Sequence, residues 1–392
     1  MRFTGTVSRG IRAPIIKSGD NLAEIVAQSV VDAAKGEDFA LNDHDVVGVT
    51  ESVLARSQGN YASLENIASD IKAKFPGGVI GLTLPILSRN RFSQLLKGIA
   101  MGVDKIYVML SYPSDEVGNP LISTDDLDEK GVNPYSDVFT EAEFRKLFEN
   151  TVHPFTGVDY ISYYKELCGG KAEIILANDP CVILKYTKNV VCADIHTRFR
   201  SQRRLLEKGA EKVVRLDEIL TAPVDGSGYH PKYGLLGSNL ATDDSVKLFP
   251  RDAQEFAEDV AKRLFEKTGK KIEAMVYGDG AFKDPVGGIW ELADPVVSPG
   301  FTDGLVGQPN ELKLKYLADN EIGDMSGDAA GDAIRSMIKS KKENMINDMS
   351  SQGTTPRRLT DLLGSLCDLT SGSGDKGTPV ILVQGYFDNY SD

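Results

Sequence analysis

The sequence predicts an α+β fold in which residues 1–73 and 223–392 make one discontinuous unit and residues 74–222 form an α/β segment inserted into it. Two changes of texture carry that reading. From about Lys74 to Leu220, short β-branched runs alternate with helical stretches, the pattern of βαβ units and a mainly parallel sheet. From Thr221 onward, glycine- and acid-rich turns sit beside clear helices and strands. The chain has 392 residues, room for two or three domains at roughly 100–200 residues each.

The elements follow in order. PIIKSGDNLAEI opens a helix with Asp20 as the expected N-cap, and Leu22, Ile25, Val26, Val30 and Ala33 recur near a 3.6 period until Gly36. DVVGVT, Asp45 to Thr50, is a β-rich run. ESVLARSQG after it reads as a strand end or loop closed by a turn at Gly59. In the central segment VIGLTLP, IYVML, EIILAN and VVCADI are the strands, and RFSQLLKGIAMG, DYISYYKELCGG and RFRSQRRLLEKG the helices. The polar stretch from Ser111 to Asp137 is long for a loop in a compact unit, so it is either functional or a surface excursion. RDAQEFAEDVAKRLFEKTG is an amphipathic helix stopping at Gly269, KIEAMVY a strand, and PVILVQGYF the last strand.

Composition narrows the function. Lys plus Arg number 44 against 57 Asp plus Glu, a net charge of −13. A nucleic-acid binder needs concentrated positive charge, so that partner is excluded, while a local basic pocket for a small anion is not. Hydrophobic residues make up 41% and charged residues 26%, which suits a globular core and rules out disorder, collagen and coiled coil. The 38 glycines imply many tight turns or close backbone approaches. Cys168, Cys181, Cys192 and Cys367 are irregularly spaced without a CxxC pair, so neither a disulfide framework nor a zinc knuckle is expected. MRFTGTVSRGIRAPI lacks the apolar stretch of a secretory signal, and no apolar run nears the ~18 residues of a membrane span. The expectation is a soluble, cytoplasmic protein with no membrane partner.

Acidic residues held in turns are the strongest chemical signal. Asp243 and Asp244 end LLGSNLATDD, and Asp279 follows a strand in VYGDGAF. A carboxylate at a strand end, with glycine neighbours, suits Mg²⁺ or Mn²⁺ carrying a nucleotide phosphate. Asp and Gly also serve ordinary turns. TSGSGDKGTP, Thr370 to Pro379, could form a phosphate nest with Lys376 as a point charge, or a plain linker between helix and strand. Neither GxxxxGK[ST] nor GxGxxG occurs. Arg357 and Arg358 stand at a helix start, against the dipole, a cost that an anion or water would offset. HTRFRSQRR, with His196, Arg198, Arg200, Arg203 and Arg204, is either a solvated face or a substrate-anion site. His44, His153, His196 and His230 are scattered, and no catalytic triad, HExxH or metal-binding His pair emerges.

The order GIRAPIIKSGDNLAEI, DVVGVTESVLARSQG, GLLGSNLATDDSVKLFPRDA, MVYGDGAFKDPVGG, and RLTDLL with SGSGDKGTPVILVQG resembles the coenzyme F420-0:gamma-glutamyl ligase family. The resemblance covers about residues 8–60 and 230–387, and the alternating segment between looks like a large insertion. It implies a GTP- and divalent-metal-dependent enzyme joining L-glutamate by an amide bond to a deazaflavin precursor, and a homodimer. Carried over residue by residue, Ala13, Pro14, Ile15 and Ile16 match the N-terminal nucleotide-contacting loop. Glu51, Ser52 and Arg56 match the polar contacts after the next strand, where Lys is usual in place of Arg56. Asp243 and Asp279 match the metal-binding carboxylates. Ser371, Gly372, Ser373, Gly374, Asp375, Lys376, Gly377 and Thr378 match the C-terminal nucleotide-binding loop. The chain departs from the family at Gly280, where Thr is usual, and at Ser373, where Glu or Gln is usual, which bears on a second metal.

The implied chemistry fits the residues. Carboxylate and amine do not condense in water at useful rates, so the γ-phosphoryl group of GTP would first give an acyl phosphate that the amine of glutamate attacks. The protein then chiefly positions and neutralises charge, and no covalent nucleophile is required. A metal-dependent nucleotide phosphohydrolase, or a nucleotide-binding protein without turnover, could use the same site. The sharpest expectation is that Asp243 and Asp279 converge on one Mg²⁺ or Mn²⁺, with Lys283 a neighbour.

Overall fold

Strands that pair far along the chain decide how this computed structural model is organised. It describes residues 3–391 except 90, 150, 155, 279–280, 284–289, 293–297, 324, 326, 346–347, 352–357 and 373, with backbone alone at 281–283 and 290–292. The protein is mixed α/β, with several sheets. It divides into two compact units, one of Met1–Leu54, Asp252–Asp284 and Ile289–Asp392, the other of Ala55–Arg251 with Pro285–Gly288. These divisions differ from the expected borders at 73/74 and 222/223. The strand Tyr61–Ser63 pairs with Ser245–Lys247, which ties residues on both flanks of the central segment into the second unit.

In the first unit a five-stranded sheet runs Val7–Ile11, Val380–Gln384, Val46–Thr50, Glu273–Tyr277, Gly300–Phe301. Val46–Thr50 and Glu273–Tyr277 are parallel, and the remaining pairings are antiparallel. Alternation assigns the faces. Val47, Val49, Ala274, Val276 and Leu382 pack with Val26 and Val30 of the helix Leu22–Gly36 and with Val260 and Leu264 of Ala253–Thr268. Val46, Met275, Ile381 and Val383 pack with Leu363 and Cys367 of the helix Leu359–Thr370. This last helix comes so close at Gly48 that a Cβ there would lie 2.5 Å from Cys367 Sγ.

In the second unit five parallel strands, Val79–Thr83, Lys105–Leu110, Ala172–Leu176, Asn189–Cys192 and Lys212–Arg215, lie in the spatial order third, second, first, fourth, fifth. Phe139–Thr140 adds an antiparallel edge. This is the doubly wound arrangement that alternating runs imply. Asn239–Thr242, Ser245–Lys247 and Tyr61–Ser63 make a separate three-stranded sheet.

Local departures have local causes. Asn21, not Asp20, caps the first helix by accepting the Glu24 N–H, while Asp20 accepts the Lys17 N–H and closes the turn before it. ESVLARS is a helix, Glu51–Ser57, in place of a strand end or loop. Glu, Leu, Ala and Arg are strong helix formers, and Glu51 and Arg56 sit at the ends that the dipole favours. The Ser111–Asp137 stretch contains a helix, Thr124–Lys130, fixed by a Ser123/Asp126 capping box and a left-handed Gly131.

Candidate functional site

Strand register assembles the site at one end of the first unit's sheet. Ile11 and Val49 both pair with Val380, and Tyr277 pairs with Thr50. The carboxyl ends of Val7–Ile11, Val46–Thr50 and Glu273–Tyr277 therefore share an edge with the amino end of Val380–Gln384. Three of the sequence-predicted segments meet here: Ala13 to Ile16 leaves the first strand, Glu51 and Ser52 follow the second, and Ser371 to Thr378 leads into the last.

Backbone hydrogen bonds fasten these segments. The Ala13 N–H donates to the Gly377 carbonyl at 3.1 Å, and the Thr50 N–H to the Pro379 carbonyl at 3.2 Å. Within the C-terminal loop, the Thr378 N–H donates to the Gly372 carbonyl at 2.9 Å and the Gly377 N–H to the Gly374 carbonyl at 3.2 Å. Gly377 has φ 66°, a left-handed conformation that favours glycine. Gly10 lets the loop close down, since a Cβ there would meet Thr378 Cβ at 2.9 Å.

Burial separates the roles. Glu51 is only 5% exposed, and Ile16 is likewise buried. Pro14, Gly374, Asp375 and Lys376 are exposed, and Ile15 is 82% exposed. The edge thus offers a closed glycine loop tipped by a lysine, flanked by a bare apolar side chain. Such a surface can hold a phosphate-bearing ligand by backbone N–H groups and one point charge. Binding and positioning are the chemistry these contacts can support.

The other predicted residues lie outside these three segments. Arg56 is exposed in the last turn of Glu51–Ser57, on the second unit's side of the division. Asp243 lies in the second unit, exposed in the turn between Asn239–Thr242 and Ser245–Lys247. Its neighbour Asp244 pairs with Lys97 at 3.6 Å. Asp279, Gly280, Ser373 and Arg357 lie outside the described residues, as does the side chain of Lys283. Tyr277 brings the chain to the site edge two residues before Asp279. Among the described residues no three His, Cys, Asp or Glu side chains are grouped to hold a metal ion. In the basic run, Arg198 pairs with Asp217 at 3.3 Å, Arg204 with Asp179 at 3.0 Å and Arg203 with Glu207 at 3.9 Å. Those three arginines serve helix packing and surface pairing.

A cavity of about 450 Å³ lies at the opposite end of the same sheet, lined by Asn42, Asp43, His44, Asp45, Gly385, Phe387 and Asp388. Asp45 there already accepts the Asn42 N–H at 2.8 Å and Gln384 Nε2 at 2.7 Å. It is a satisfied structural network, at the end of the sheet away from the glycine loop and Glu51. What sequence reasoning missed is the support behind the loop: the Gly10–Thr378 approach and the Ser8 Oγ to Thr370 Oγ1 contact of 2.8 Å. Neither carries a sequence signal, because each joins residues some 360 positions apart.

The family model described as F420-0:Gamma-glutamyl ligase matches residues 10–385 of this sequence. No curated protein matches the chain. The family match spans nearly the whole molecule, both units included, and the chain belongs to that family, an enzyme family that joins a carboxylate and glutamate.

Proposed function

We propose that this member of the family is a GTP- and divalent-metal-dependent ligase that joins L-glutamate to F420-0 through an acyl phosphate. The observation that carries the reading is the convergence of Ala13 to Ile16, Glu51 and Ser371 to Thr378 at one sheet edge, held by the Ala13–Gly377 and Thr50–Pro379 hydrogen bonds. In this reading the C-terminal loop and Lys376 hold the GTP phosphates. The carboxylate of F420-0 takes the γ-phosphoryl group and GDP leaves. The amine of glutamate then attacks the acyl carbon, the amide bond forms, and inorganic phosphate and a proton are released. A divalent cation would supply charge neutralisation on the phosphates, with Asp243 and Asp279 as its proposed ligands. Asp243 suits that role in being an exposed carboxylate at a turn.

Mass spectrometry of reactions holding GTP, Mn²⁺, L-glutamate and F420-0 tests the proposal. A product heavier by one glutamyl residue, with phosphate release that needs glutamate, is the expected result. Phosphate release without glutamate would replace the ligase reading by a phosphohydrolase, and GTP binding without turnover would replace it by a nucleotide-binding protein. The homodimer belongs to the same proposal, and light scattering showing a monomer at micromolar concentration would remove it.

A further inference from the structure

The second unit carries a different candidate, at the carboxyl edge of its parallel sheet. Its first parallel strand, Val79–Thr83, and its fourth, Asn189–Cys192, are neighbours, with Thr83 paired to Cys192. The chain leaves them towards opposite faces. Leu95, Leu96 and Ile99 of the helix Ser93–Met101 share a core with Ile80 and Leu82, whereas Leu205 of Arg198–Glu207 packs with Val190 and Cys192. Connections that diverge in this way mark the sheet's topological switch point, outside whose strand ends open α/β sheets bind ligands.

One polar side chain stands on each side of the divergence, and both are 0% exposed: Thr83 and Asp194. Asp194 Oδ2 accepts the hydroxyls of Thr197 at 2.7 Å and Ser201 at 2.8 Å, while Oδ1 accepts nothing among the described residues. Among the described residues the Thr83 hydroxyl has only the neighbouring Cys192 thiol, a weak partner too loosely placed for an ordinary hydrogen bond. A buried polar atom left so keeps its desolvation cost uncompensated. The surroundings are otherwise well satisfied. Asp115 accepts the N–H groups of Leu87, Val117 and Asn119, and Glu116 those of Ile195 and His196. Leu84, directly after Thr83, has φ 52°, a strained conformation for leucine.

Charge selects the ligand. Burial pushes the Asp115, Glu116 and Asp194 carboxyls up, and a positive charge brought beside them would offset that cost. Arg198 is the cation that acts on Asp194, but its guanidinium is engaged by Asp217 and the Ile195 carbonyl. A phosphate would be repelled here, and a neutral diol would leave the carboxylate charge uncompensated. We propose that this divergence is a small-ligand site whose ligand presents a primary ammonium group to Asp194 Oδ1, with Thr83 Oγ1 as the second contact. An ammonium has three donors and one charge, matching a carboxylate oxygen with no partner among the described residues and a hydroxyl with only a weak one. The site belongs to the second unit alone and stands whether or not the ligase reading does.

Calorimetric titration of the full chain with putrescine, L-lysine and L-glutamate, and with ribose and inorganic phosphate for contrast, tests this. At least one amine should bind at millimolar concentration or better, and Asp194→Asn should weaken it about tenfold, the worth of one charge-assisted hydrogen bond. Thr83→Val keeps the shape and should also weaken the amine, so it decides the matter if Asp194→Asn does not fold. Binding of ribose or phosphate alone, no binding by any amine, or amine binding indifferent to these variants would overturn the proposal.

Discussion

Gly48 shows how a single missing side chain fixes the packing of the first unit. The place of its Cβ is occupied by Cys367 Sγ, and Tyr277 Cδ1 stands 3.3 Å away. Gly48→Ala should therefore cost about 1–3 kcal/mol through overpacking, read as a lower denaturant midpoint. Cys367→Ala removes the obstructing sulfur, so the double variant should recover part of that loss. Coupling of about 1 kcal/mol is expected, and strict additivity would contradict the contact. Asp194 makes the residue-scale pH prediction. Burial raises its carboxyl, so the native state holds that proton more tightly than the unfolded chain. Its contribution to stability is thus largest at low pH and falls as pH rises from the unfolded carboxyl value through the raised folded one. Asp194→Asn removes the titration, and its stability relative to the parent should climb with pH across that window in denaturant melts. The Asp194 effect was not legible in the sequence, where the residue stands in an unremarkable VVCADI. Glu51 was singled out by resemblance, and its burial at the site edge is what the structure adds.

Elements were legible wherever their signals are local. The helix Ala253–Thr268 ends at a left-handed Gly269 with φ 68°, as a glycine after an amphipathic run implies. The strands of the central segment stand where β-branched runs place them. Glu51–Ser57 was misread because a short helix directly after a strand shows too few turns for its period to appear. The C-terminal loop was visible as glycines, yet only its backbone bonds reveal a closed turn fastened to Ala13. That closure gives a prediction for the element. Gly10→Val should push Thr378 outward and loosen the loop, while leaving the pairing of Val7–Ile11 with Val380–Gln384 largely intact. If the loop holds the nucleotide, Gly10→Val should weaken GTP in a direct binding assay. Lys376→Ala should do so by about three- to tenfold, as befits loss of one exposed point charge. An unchanged GTP affinity in both variants would remove the loop from the site.

At the scale of the molecule, periodicity and composition revealed two textures but not where one unit stops. Pairing of Tyr61–Ser63 with Ser245–Lys247 joins residues about 180 positions apart, and nothing local announces a partner at that distance. The boundary matters for folding. The second unit is continuous from Ala55 to Arg251 except for the short Pro285–Gly288 piece. Its main core runs from Ala62 to Leu248, and its second cluster, on the other sheet face, lies between Met109 and Leu205. Both faces of its mainly parallel sheet are therefore covered by residues of the same continuous stretch, the condition that parallel strands need. The first unit instead must bring Val7–Ile11, Glu273–Tyr277 and Val380–Gln384 together from three separate pieces. Loop closure over such distances slows folding, whereas the second unit draws on one nearly continuous stretch of chain. A fragment of residues 55–251 should consequently fold alone, with a single cooperative thermal transition and dispersed amide resonances. A fragment ending at 222 lacks Ser245–Lys247, leaves Tyr61–Ser63 without its strand partner, and should melt lower than the longer one. Equal stability of the two fragments would place the boundary back at 222, and a non-cooperative melt of both would deny the second unit its independence.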